Sequence, residues 1–172
     1  FVNHDLQSVR DFFKFCGLDM IQLHGDESPE FCRQFPETVL IKAFSPKSDE
    51  ELDDIKKYPV KAILIDSRTA ELYGGTGKKS SWELALKMNS IRPLILSGGL
   101  NPDNILEAIE AVAPHAVDVN SGVEISPREK DAHKMKKIVE IVHGCTDKSF
   151  ITIFSRTFEH YKNLKITNEE NL

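Results

Sequence analysis

The chain has 172 residues, 40% hydrophobic and 28% charged, with 27 acidic against 22 basic side chains and a formal charge of −5. This is one domain's worth of chain with enough apolar content to bury a core. It lacks the basic face that nucleic acid or an anionic membrane surface requires, and it has no apolar run near the ~18 residues that span a bilayer.

No charged-then-apolar leader opens the chain. Cys16, Cys32 and Cys145 are odd in number and lack CxxC spacing, which predicts reduced thiols in a cytoplasmic protein rather than a disulfide framework. Val2 ends an apolar segment that starts at the first residue. Leu6, Val9, Phe12, Phe13 and Cys16 mark one face of a helix that Gly17 stops. Met20–Leu23 reads as a strand, and Asp26–Pro29 supply an N-cap and a first-turn proline for a helix through Phe35. Val39–Phe44 is the next strand, and the acidic turn Ser48–Glu51 opens a helix ending near Tyr58. Strand Ala62–Ile65 leads through a long polar loop to a helix near Ser81–Met88. Strand Leu94–Leu96 leads through Gly98-Gly99 to a helix from about Asn101-Pro102. Strand Ala116–Val119 leads through Ser121-Gly122 to a helix from about Lys130 to Val142.

Strands separated by helices pair in parallel through right-handed crossovers, and their near-continuous apolar character suits strands covered on both faces. The fold class is α/β. A complete (βα)8 barrel needs at least ~200 residues, so the expectation is an incomplete one. Residues 145–172 hold one amphipathic stretch and then a polar end, readable as an extra docked helix or as a linker.

Functional groups in parallel α/β folds collect at the C-terminal ends of strands. Those ends here are His24-Gly25-Asp26-Glu27, then Lys42 or Phe44, then Asp66, then Ser97-Gly98-Gly99, then Asp118 through Gly122. The two glycine turns can present bare backbone N–H groups and a positive helix end to a phosphate, or can simply be tight turns. Two of them on the last two strands correspond to the place where barrels hold phosphate. Asp66 closes a run of four apolar residues, so its carboxylate is partly desolvated and suits a general acid. Equally, it can cap a helix or pair with Arg68 or Lys78.

Gly74–Lys78 lacks the spacing of a Walker A loop and reads as a glycine-hinged loop over the strand ends. His24, with Asp26 and Glu27 beside it, has no second histidine at ligand spacing. It reads as a polar pocket contact or a structural histidine, and no metal is expected. The basic run Lys130–Lys137 reads as the solvated face of the last helix.

Five segments occur in a fixed order: IQLHGDE (Ile21–Glu27), LIDS (Leu64–Ser67), GGTGK (Gly74–Lys78) followed by Trp82, LSGGLNPDN (Leu96–Asn104), and VDVNSGVE (Val117–Glu124) followed by Lys130-Asp131. Together they closely resemble phosphoribosylanthranilate isomerase of tryptophan biosynthesis, over roughly residues 1 to 142. The resemblance makes Phe1-Val2-Asn3 the end of the third strand of a TIM barrel and the five strands above strands 4 to 8. It implies a cofactor-free Amadori rearrangement of a phosphorylated small-molecule substrate. Asp66 matches the family's general acid. Gly98, Gly99, Ser121 and Gly122 match its phosphate-binding turns, and His24 and Asp118 match pocket positions. The family's general base is a cysteine in a Lys-Ile-Cys-Gly-like motif at the end of strand 1, and an arginine follows strand 2. Both positions precede the matched segment, so the resemblance implies acid and phosphate site without a base in this chain.

Two other readings stand beside an isomerase: a non-catalytic partial barrel that retains a phosphate site, and a different phosphate-binding barrel enzyme such as an epimerase or indole-glycerol-phosphate synthase. Six strands of eight leave two unpaired edges, so the isolated chain is expected to associate or aggregate unless its tail covers one of them.

Overall fold

The computed structural model describes residues 1–46, 48–66 and 78–145, with backbone only for 78–81. Five strands form one sheet: β1 (Ile21–Leu23), β2 (Leu40–Phe44), β3 (Ala62–Asp66), β4 (Leu94–Ser97) and β5 (Ala116–Val117). They lie in sequence order and every pairing is parallel, as expected for strands joined by helices. The sheet is open: its two outer strands, β1 and β5, do not pair with each other. The helices are α1 (Leu6–Phe15), α2 (Pro29–Cys32), α3 (Glu51–Ile55), α4 (Lys78–Asn89), α5 (Ile105–Val112) and α6 (Ala132–Gly144). No helix among the described residues is long and apolar enough to cross a membrane.

Alternation along each strand divides the sheet into two faces. Ile21, Leu23, Leu40, Ile63, Ile65, Leu94 and Leu96 point to the helical layer, where they bury Val9, Cys32, Ile55, Met88 and Val112. Ile41, Ala43, Ala62, Leu64 and Ile95 form a second cluster on the opposite face, which is the interior in a barrel. The first residues extend the sheet beyond β1. The Phe1 amino group donates to Gln22 O at 2.7 Å, and His24 N donates to Phe1 O at 2.8 Å. Phe1 therefore lies where the end of a preceding strand belongs.

Several elements differ from their expected extents. α1 starts at an Asp5 cap and stops before Gly17, which takes φ +60°, but its buried face is narrower than the periodicity implied. Val9 is buried, whereas Phe12 is half exposed and Cys16 exposed. α2 and α3 stop at Cys32 and Ile55, short of Phe35 and Tyr58. Beyond them the chain tightens into i→i−3 bonds (Gln34 N to Phe31 O, Tyr58 N to Ile55 O), and Pro36 and Pro59 disfavour further helix.

α5 begins at Ile105 rather than near Asn101, because Asn101 and Asn104 use their side chains to build a separate turn first. β5 ends at Val117. After it comes a short 3-10 turn (Ser121–Val123) and an antiparallel ribbon of β6 (Glu124–Ser126) and β7 (Glu129–Lys130), where a direct run into helix was expected. α6 then starts at Ala132, with the Asp131 carboxylate accepting from His133 N and Lys134 N. Lys130 thus belongs to the ribbon, not to a solvated helix face. The Gly74–Gly77 loop, Arg68 and residues 146–172 lie outside the described residues.

Candidate active site

The inner face ends, at the C-terminal edge of the sheet, in a row of polar residues. Asp66 follows Ala62 and Leu64 on that face, and its register partner on β4 is Ser97, which follows Ile95. Asp118 comes next. Its N–H donates to Leu96 O at 2.8 Å, which continues the β4–β5 ladder and puts it beside Ser97. Two strand spacings set the Asp66 and Asp118 backbones about 10 Å apart, with Ser97 between them. Asp66 is half-buried and Asp118 exposed. At the other end of the rim His24 continues the parity of Gln22; it is exposed, and its Nδ1 lies 3.2 Å from Gln22 Nε2. Parity and register thus bring His24, Asp66 and Asp118 to one edge and one face.

The two glycine turns lie against each other. Gly98 and Gly99 take φ +90° and +67°, a conformation that side chains resist. A Cβ on Gly122 would sit 1.8 Å from Leu100 O, so only glycine lets the second turn rest on the first. Asn104 Nδ2 and Asn101 Nδ2 donate to Gly99 O at 3.0 and 3.3 Å. In a trans peptide the N–H points opposite its C=O, so holding Gly99 O aims the Leu100 N–H away from the asparagines.

Neither turn opens directly into a long helix, because α5 starts only at Ile105 and Ser121–Val123 is a single 3-10 turn. A phosphate held here would rest on turn N–H groups rather than on a helix end. Lys130 Nζ braces the second turn, donating to Asn120 O and Glu124 Oε1, both at 2.9 Å.

The sequence reading left a buried ion pair unassigned. Glu27 and Lys42 are 6% and 3% exposed, with Lys42 Nζ 3.4 Å from Glu27 Oε2. Burial works to raise the Glu27 pKa, but the Asn3 N–H, Lys42 and the Gly25 N–H outweigh it and hold the carboxyl below its ordinary range. The signal was available: Lys42 interrupts an apolar run, VLIKAF, whose neighbours are all buried or half-buried.

All three thiols belong to the helical side. Cys32 lies in α2, and Cys16 and Cys145 cap α1 and α6. Burial is the main cause pushing the Cys32 thiol up to about 11. No group of three or more metal-ligating side chains occurs among the described residues.

Residues 1–141 match the family model for N-(5'-phosphoribosyl)anthranilate isomerase. The chain belongs to the phosphoribosylanthranilate isomerase family. An N-(5'-phosphoribosyl)anthranilate isomerase of Syntrophus aciditrophicus is 49% identical over 142 residues, 83% of this chain and 62% of that protein. The chain therefore spans less than two thirds of that relative. The phosphoribosylanthranilate isomerase of Thermotoga maritima superposes with a TM-score of 0.70 at 38% identity, covering 84% of this chain and 71% of that one. A family structure in complex with reduced 1-(o-carboxyphenylamino)-1-deoxyribulose 5-phosphate gives 0.67 at 34% identity, covering 84% and 69%. These barrels make the open sheet a sector of a TIM barrel.

Proposed function

We propose that this chain carries the acid and the phosphate-holding part of a phosphoribosylanthranilate isomerase site, serving tryptophan biosynthesis. The observation that carries the reading is the contact of Gly122 with Leu100, which joins the two glycine turns at the end of the Asp66–Ser97–Asp118 row. The phosphate of N-(5'-phosphoribosyl)anthranilate rests on Gly98, Gly99, Ser121 and Gly122. Asp66 protonates the furanose ring oxygen, and the ring opens to an iminium. A base then removes the C2 proton, and the enolamine tautomerises to the aminoketose, so the reaction is an isomerisation with no cofactor. His24 and Asp118 contact the open-chain sugar from either end of the rim.

The resemblance gives the base to a cysteine at the end of the first barrel strand, and the three thiols of this chain are all on the helical side. We therefore expect the 172-residue chain by itself to bind the phosphorylated product analogue without turning substrate over. Loss of phosphoribosylanthranilate fluorescence tests this. The chain alone should give none, and a version extended at its N-terminus by the first two βα units of a relative should give clear turnover. In that extended protein Asp66→Asn should cost at least ~100-fold in rate, the usual worth of a positioned acid. Undiminished turnover in the variant removes Asp66 from the acid role.

A further inference from the structure

We infer that Lys42 and Glu27 are a positioning pair for the site, clamping the turn after β1 from the helical side so that His24 keeps a fixed place on the inner rim. The inference rests on the functional reading above for what His24 meets, though not for the clamp itself. Lys42 alternates with Leu40 and Phe44, so it faces the helices and touches no ligand on the inner face. Its Nζ donates to Gly25 O at 2.7 Å and Ala43 O at 2.9 Å, and lies 5.3 Å from the Phe44 ring centre.

Glu27 completes the clamp. Oε2 accepts from Gly25 N at 3.0 Å and Oε1 from Asn3 N at 2.9 Å. Both backbone polar groups of Gly25, the residue after His24, are therefore held by one buried pair. The space is closed as well, since a Cβ on Gly25 would sit 2.2 Å from Asn3 Oδ1. Asn3 Oδ1 in turn accepts from Asp26 N at 2.6 Å, and His24 N donates to Phe1 O. Desolvating two charges is costly, and apolar residues of similar volume commonly match or exceed such a pair in stability. What this pair supplies, and an apolar pair cannot, is a donor and an acceptor aimed at one peptide on each side of residue 25.

The test uses the 172-residue chain and its Lys42→Met and Glu27→Gln variants, with Ile55→Ala in α3 as a control that loosens the helical layer without altering either residue of the pair. Glu27→Gln is the milder change and keeps the test alive if Lys42→Met does not fold. The probe is reduced 1-(o-carboxyphenylamino)-1-deoxyribulose 5-phosphate, and the site itself is read by the His24 imidazole resonances and by hydrogen exchange at Gly25 N–H. Each variant should bind the analogue at least ten-fold more weakly, shift the His24 resonances and speed Gly25 exchange, while Ile55→Ala loses melting temperature without these changes. Unmoved resonances and affinity in the clamp variants, or equal losses in Ile55→Ala, overturn the inference. If the unaltered chain does not bind the analogue, the functional reading fails, and the resonances and exchange still decide for or against the clamp.

Discussion

Leu100 O occupies the place where a side chain on residue 122 would begin, 1.8 Å from the Cβ position. Because the obstacle is backbone, no rotamer change relieves it; the turn after β5 must move off the turn after β4. Gly122→Ala should therefore separate the two turns as well as strain the fold. Overpacking of this kind costs about 1–3 kcal/mol. We expect a melting temperature several degrees lower and at least ten-fold weaker binding of the phosphorylated analogue. Gly144→Ala is the matched comparison: nothing lies within 4 Å of its Cβ position at the end of α6, so it should leave both quantities unchanged or raise stability slightly. Equal behaviour of the two variants would refute the contact.

The strands and the inner rim were legible because alternation and strand ends are local. AILID puts Ile63 and Ile65 on one face and Leu64 and Asp66 on the other, and LILS repeats the pattern with Ser97. Three things were not legible. The β6–β7 ribbon is largely exposed, so it has no apolar alternation to detect, and its pairing is set by a turn in which Arg128 takes φ +74°. The delayed start of α5 depends on asparagine side chains choosing a turn over a helix. The Lys42–Glu27 pair joins residues 15 apart, which no periodicity reports; only the charge inside VLIKAF hinted at it.

Asn104 is the residue whose removal should dissociate phosphate binding from the rest of the site. Its amide donates to Gly99 O and its carbonyl accepts from Asn101 N at 2.8 Å, so one side chain holds the peptide before Leu100 and the turn after it. Asn104→Ala loses two partly buried hydrogen bonds, each worth about 1 kcal/mol. The expected result is a modest fall in melting temperature and weaker phosphate affinity. In the N-terminally extended enzyme it should raise KM several-fold with kcat little changed, since the acid is untouched. A fall confined to kcat would place Asn104 elsewhere in the chemistry.

Acid should unfold the chain partly through Glu27. Its folded-state pKa lies below the ordinary 4.5 because the Asn3 and Gly25 N–H groups and Lys42 outweigh its burial. A depressed carboxyl pKa contributes stability that is complete above the unfolded value and is lost as pH falls through the folded one. Stability in urea should thus be level from neutrality to about pH 5.5 as far as Glu27 is concerned, then decline below pH 4.5. Glu27→Gln should be less stable at neutral pH and show a shallower acid decline. An unaltered decline in that variant would assign acid sensitivity to other carboxylates.

The thiols should differ sharply in reactivity. Cys32 is fully buried beneath the sheet, and burial above all pushes its pKa up to about 11, so almost no thiolate exists at pH 8. Cys16 is exposed at the end of α1 and Cys145 is partly accessible. With an excess of a disulfide reagent at pH 8, Cys16 should react at once and Cys145 more slowly, while Cys32 reacts only at the rate at which the helical layer opens. Urea should bring its rate up to that of Cys16. Modifying Cys16 should leave analogue binding intact, because it lies on the helical side and not on the inner rim. Loss of binding on modification of the native protein would mean that a thiol reaches the site after all, and would reopen the question of the base.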